Sequence, residues 1–305
     1  MSEAPSADPI ESVPNVSEGR SALVVQRIVD AVTSVSGARL LDRTSDPDHN
    51  RSVLTFAGAP TAVRDAALAL VATAVREIDL RKHAGVHPRL GAVDVLPFVP
   101  LGAATMDECI ALAHEVGREI AARHAIPVYF YGRAALRSEY LRLADIRRPR
   151  FEGLGAVIAT SHRPDAGPAR VHPTAGAIVV GARAPLIAFN VELDTTDLAL
   201  ARRIAREIRS SSGGLPALQA LGLPLRAPPR VQVSMNLLDH ERTGLAAAFD
   251  AVASRARAVG VRVIRGELVG LVPAAATVGL TADRIALDAL GPERTIEGRL
   301  LAAQR

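Results

Sequence analysis

Short apolar runs alternate with segments whose apolar residues recur every three or four positions, and this alternation occurs twice along the chain. Residues 10–14 and 38–44 read as strands around a helix at 21–35. In that helix Val24, Ile28, Val32 and Val35 share a face, and Gly37 is expected to close it. A strand at 52–56 follows the loop 45–51. The helix at 60–80 then places Val63, Ala67, Leu70, Val71, Ala74 and Ile78 on one side. A strand at 93–99, a helix at 107–123 and a strand at 128–131 complete the first half. The core order is β-α-β-β-α-β, the ferredoxin-like split βαβ unit, extended by one helix and one strand. Downstream, strands at 186–193, 221–225, 231–237 and 261–264 and helices at 197–209 and 244–259 restate that order. The spacing therefore predicts an α/β protein of the α+β, ferredoxin-like kind, built from two similar subdomains with a ligand groove between them. The expected division is a disordered N-terminus at 1–10, a catalytic subdomain at 11–180 and a second subdomain at 181–305.

The chain has 305 residues, 49% of them hydrophobic, enough for two cores. No apolar run approaches the ~18 residues of a membrane span. The first ten residues lack the basic and apolar regions of a secretory signal, so a cytoplasmic location is expected. Cys109 is the single cysteine, which rules out an intramolecular disulfide, and its place in a helix makes it a buried packing residue. The net charge of +4 rests on 36 basic residues, all arginine except Lys82. They are scattered apart from Arg147-Arg148-Pro149-Arg150. With aromatics at 3%, the chain lacks a stacking platform for bases, and no nucleic acid is expected.

Four polar, glycine-rich stretches stand out between these elements. Pro14-Asn15-Val16-Ser17-Glu18-Gly19-Arg20 joins a strand to a helix, as an anion-holding turn or as a plain capped helix start. The stretch 42–51 carries three carboxylates, a histidine and two arginines, and Asp42 is read as ending its strand. In His83-Ala84-Gly85-Val86-His87-Pro88-Arg89 the two histidines lie four apart, but Gly85 and Pro88 break the helix that a zinc pair on that spacing requires. A metal site of His83, His87 and Asp94 is thus the weaker alternative, and no metal is expected. One histidine held between glycine and proline suits a general acid–base. The run from Arg163 through Gly176 is dense in glycine and proline, either as a linker or as backbone shaped to approach a flat ring.

Together these stretches resemble the formiminotransferase domain family. The matching pieces are Val13 to Gly19, Asn50-Arg51-Ser52-Val53, His87-Pro88-Arg89-Leu90-Gly91-Ala92-Val93-Asp94, and Gly167-Pro168 with His172-Pro173-Thr174-Ala175-Gly176. Gly181-Ala182-Arg183 leading to Asn190, and Val233 to Asp239, complete the set, in family order. The resemblance implies a glutamate formimidoyltransferase moving the formimidoyl group of N-formimino-L-glutamate to N5 of tetrahydrofolate, in histidine breakdown and one-carbon metabolism. It makes His87 the catalytic histidine. It also makes Gly167, Pro168, Ala169, Arg170, Val171, His172, Pro173, Thr174, Ala175 and Gly176 the folate-contacting segment. Relatives often carry an aromatic residue where this chain has Ala166. Some relatives also carry a cyclodeaminase domain, for which a chain ending at Arg305 has no room, so a separate cyclodeaminase is expected downstream. A homodimer is left open.

The residue types fit that chemistry. One histidine titrating near neutrality can take the proton from N5 and deliver one to the departing glutamate nitrogen. Asp42 is expected to orient the imidazole or stabilise the amidine. Asn15, Arg51 and Arg89 are expected to bind substrate, the arginines through its carboxylates. The alternatives are a 5-formyltetrahydrofolate cycloligase, a formimino-glutamate hydrolase, and a folate-binding module without catalysis. The lack of a GxxxxGK[ST] loop counts against ATP use.

Overall fold

The computed structural model describes residues 8–47, 49–85, 88–225 and 228–303. The chain divides into two compact units, 1–183 and 184–305.

In the first unit the elements run β1 (Ile10–Ser12), β2 (Asn15–Val16), α1 (Ala22–Thr33), β3 (Arg39–Asp46), β4 (Arg51–Gly58), α2 (Pro60–Glu77), β5 (Val93–Pro100), α3 (Met106–His124), β6 (Val128–Gly132), α4 (Leu143–Ile146), α5 (Arg150–Val157) and β7 (Ile178–Ala182). β1 and β2 both lie between β4 and β5, antiparallel to each, as one strand interrupted at Val13-Pro14. Pro14 has no N–H for the ladder, but its carbonyl still accepts from Leu54 N at 3.1 Å. With β3 outside β4, the strand order is the fourth-first-third-second of a split βαβ unit, as the spacing predicts. Ser21 caps α1 and a Thr105–Glu108 capping box opens α3. α1 stops at Thr33, so Gly37 belongs to the turn into β3 and does not cap the helix.

β7 departs from the sequence reading. It lies between β5 and β6, parallel to both, and every residue of it is buried. No strand is expected at 177–180 from the sequence, because a strand buried on both faces has no alternation to show. The first unit accordingly ends at Arg183, and a cut at 180/181 would split this strand. The sheet has apolar layers on both sides. Ile28, Phe56, Leu70, Phe98 and Val116 belong to one, and Tyr129, Tyr131 and Val179 pack with Tyr140, Ile146 and Leu154 in the other. Cys109 is buried in the first layer, its thiol pushed up to about 12 chiefly by burial, so it remains protonated.

The second unit contains β8 (Ile187–Leu193), α6 (Leu198–Ile208), β9 (Leu218–Leu225), β10 (Arg230–Leu237), α7 (Leu245–Arg257), β11 (Val263–Val269) and α8 (Ile296–Ala302). Its strand order, β11-β8-β10-β9 and antiparallel throughout, is again fourth-first-third-second. Phe189, Val191, Val233 and Met235 point to the same core as Leu200, Ile204 and Val252. The short strand expected at 221–225 is eight residues long and pairs with β10 throughout, and its Gly222 packs against α6, where a Cβ would lie 2.3 Å from Arg202 N. Among the described residues no helix is long and apolar enough to cross a membrane.

Candidate active site

Three loops of the first unit meet at the end of β2. Asn50, in the left-handed conformation at φ 49°, ties them together. Its Oδ1 accepts from Gly19 N at 3.0 Å and its Nδ2 donates to Ala84 O at 3.2 Å. The polypeptide passes so closely that a Cβ on Gly19 would lie 2.4 Å from Asp46 O and 2.5 Å from Arg51 N, so only glycine fits there. Ser17 closes the other side. Its N–H donates to Ala92 O at 2.8 Å and its hydroxyl to Gly91 O at 2.7 Å. The result is a small open hollow around which stand Ser17, Asn50, Arg51, His83, Arg89 and Asp94.

Charge in the hollow is mainly positive. Asp94, 2% exposed, accepts from Leu90 N at 2.8 Å and pairs with Arg147, which projects from the end of α4. Arg89 reaches His83 O at 3.1 Å and the exposed Glu152 at 3.0 Å. Arg51 is pushed down to about 10, first by burial and then by Arg147, against the attraction of Asp94 and Asp46. Arg147 and Arg51 thus both act on the buried Asp94, and Arg89 lines the hollow beside them, an arrangement suited to an incoming carboxylate. Arg147 escaped the sequence reading, although the single basic cluster contained it. Arg147→Ala is expected to cost about 3–5 kcal/mol, because it removes the ion-pair partner of the buried Asp94 carboxylate. Thermal unfolding measures this, and Asp94→Asn in the same chain should recover part of the loss.

His83 also lines the hollow, with Nε2 2.9 Å from Asn50 O. Burial is the main cause that pushes its pKa below the ordinary value, helped by Arg89 and opposed by the Asn50 bond. His87 lies outside the described residues.

Arg51 and Arg89 both line the hollow, but Asp42 does not end its strand. It pairs with Thr55 four residues before the end of β3, about 13 Å along the strand, and does not line the hollow. β3 runs on past the polar residues that read as a loop because Ser45 and Asp46 pair with Ser52 and Arg51 of β4. Asn15 is buried beside the hollow in β2, its Nδ2 donating to Val13 O at 3.1 Å.

The segment 167–176 is held at both ends. Before it, Asp165 accepts from Phe130 N at 2.9 Å and pairs with Arg137 at 3.1 Å. At its end, His172 and Gly176 exchange backbone hydrogen bonds of 3.0 Å, and His172 Nδ1 accepts from Ala175 N at 3.0 Å. Ala175 O and Ala177 N then pair with Ala92 N and Leu90 O. Ala175 and Gly176 are therefore buried supports for the turn that carries Ser17. Gly167, Ala169, Arg170 and Pro173 are exposed, with Pro168, Val171 and Thr174 partly so.

The model of the formiminotransferase domain, N-terminal subdomain, matches residues 9–183, and that of the formiminotransferase domain matches 188–285. A glutamate formimidoyltransferase of Streptococcus pyogenes serotype M1 is 42% identical over 270 residues, covering 88% of this chain and 90% of its own. Its counterpart in Thermoplasma acidophilum is 39% identical, covering 95% and 97%. A formimidoyltransferase-cyclodeaminase of Sus scrofa is 38% identical, and the match covers 94% of this chain and 59% of that protein. Matched along both of its compact units, the chain belongs to the formiminotransferase domain family.

Proposed function

We propose that the chain is a glutamate formimidoyltransferase, moving the formimidoyl group of N-formimino-L-glutamate to N5 of tetrahydrofolate. The observation that carries this reading is the presence of Arg51 and Arg89 together in the lining of the hollow, in a chain similar over nearly its whole length to proteins of that name. The donor has two carboxylates and the folate at least two, so both substrates match a site of this charge.

The residues divide the work. Attack of N5 on the formimidoyl carbon gives a tetrahedral intermediate, which collapses as the glutamate nitrogen leaves. His87 takes the proton from N5 and supplies one to that nitrogen. Arg51 and Arg89 hold carboxylate, and the exposed part of 167–174 receives the folate. Tetrahydrofolate is the co-substrate, and no resident cofactor enters the scheme.

Arg51→Ala and Arg89→Ala are expected to raise KM for at least one substrate by about ten- to a hundredfold, the loss of a charge-assisted hydrogen bond. Steady-state kinetics with each substrate varied in turn measures this. Unchanged KM values at both positions would make these arginines structural. A turnover assay with formimino-glutamate and tetrahydrofolate tests the activity itself. Transfer without ATP is expected. Dependence on ATP would point to a cycloligase, formimino-glutamate loss without folate to a hydrolase, and folate binding without turnover to a non-catalytic module.

A further inference from the structure

His83 Nδ1 and Arg89 Nε, on residues lining the hollow, are among the polar atoms buried without a hydrogen-bond partner among the described residues. Buried polar atoms in a folded chain are nearly always paired, so an acceptor and a donor left open on residues lining one hollow point to a ligand. The tautomer of His83 follows from its other contact. Nε2 faces the carbonyl of Asn50 at 2.9 Å, a group that only accepts, so Nε2 carries the hydrogen and Nδ1 the lone pair. Burial and the neighbouring Arg89 keep the ring neutral. Arg89, 8% exposed, uses Nη2 on His83 O and on Glu152, which leaves its Nε–H to donate. The two residues are thus tied to each other at one hollow, and between them hold one lone pair and one N–H that no described group uses.

We propose that this pair receives the amino-acid end of the donor. The N–H on its α-carbon donates to His83 Nδ1, and the α-carboxylate accepts from Arg89 Nε. An N-substituted α-amino acid carries this donor and this acceptor on one carbon. A side-chain carboxylate offers acceptors only, and so cannot satisfy His83. His83 is then a specificity-determining residue for the donor and takes no part in folate binding. The proposal rests on the transferase reading for the identity of the donor, and its test does not depend on turnover.

The discriminating variant is His83→Gln. The glutamine amide reproduces the Nε2–H bond to Asn50 but provides no acceptor at the place of Nδ1. N-acetyl-L-glutamate, unreactive but carrying the same N–H and α-carboxylate, is titrated calorimetrically into both proteins. N-acetyl-N-methyl-L-glutamate, which lacks the N–H, is the control. The native protein is expected to bind the first probe about tenfold more tightly than His83→Gln, and the two proteins to bind the methylated probe equally. In turnover, KM for formimino-glutamate should rise by a similar factor, with KM for tetrahydrofolate and the melting temperature unchanged. Equal affinity of both proteins for N-acetyl-L-glutamate, or its failure to bind the native protein, would overturn the proposal, and intact transfer would then leave the transferase reading standing. Tenfold discrimination in a protein that transfers no formimidoyl group would uphold the binding pair and sink the transferase reading instead.

Discussion

His87→Ala is expected to lower kcat by about 10²–10⁴-fold, the usual contribution of a positioned acid–base group, while KM for tetrahydrofolate stays within about threefold. The residue stands between Gly85 and Pro88 in sequence and two positions before Arg89, which lines the hollow. On the proposed mechanism its removal takes away the proton carrier and leaves Arg51 and Arg89 in place. The loss should therefore fall on kcat and kcat/KM alike, the pattern of an interaction made in the transition state. Added imidazole should restore part of the rate, since a small base can occupy the vacated space. Loss of folate affinity with kcat preserved would make His87 a binding contact and send the search for the proton carrier to another residue. Thermal unfolding close to native would confirm that the change is chemical.

Gly176→Val is expected to destabilise the first unit by on the order of 4 kcal/mol, combining a β-branched residue in the left-handed region with an overpacked site. Gly176 has φ +72°, and a Cβ there would lie 2.1 Å from Leu90 O. That carbonyl cannot retreat cheaply because it accepts from Ala177 N at 3.0 Å. The melting temperature should fall by roughly 8–16 °C for a unit of this size. From sequence alone this glycine reads as a backbone approach to the folate, where a side chain would weaken binding more than stability. The structure reverses that order. A variant that melts like the native protein yet fails to bind folinate would restore the earlier reading.

The fold was legible wherever one face of an element is wet. α1 shows spacings of three and four because Val25, Ile28, Val29 and Val32 face the core while the rest face solvent. β7 showed nothing, since both of its faces are covered. The hollow was legible in part. Arg51 and Arg89 sit in motifs that stand out, and so does His83, though its four-residue spacing to His87 drew attention to metal. Asn50 carries its role in a backbone angle and Arg147 in a long-range pair with Asp94, and no local pattern records either. Asp42 was misplaced because the strand continues through polar residues that pair with β4.

The insertion of β7 between β5 and β6 also governs how the first unit is made. β5 ends at Pro100 and β6 at Gly132, but the strand that joins them begins only at Ile178. Throughout the synthesis of the intervening residues both strands carry an unpaired edge, the kind of surface that recruits other chains. Parallel pairing over such a separation closes slowly, because the loop must be ordered before the contacts form. A nascent chain therefore stays vulnerable to aggregation until Ala182 has left the ribosome, and a fragment ending at residue 180 would carry that vulnerability permanently.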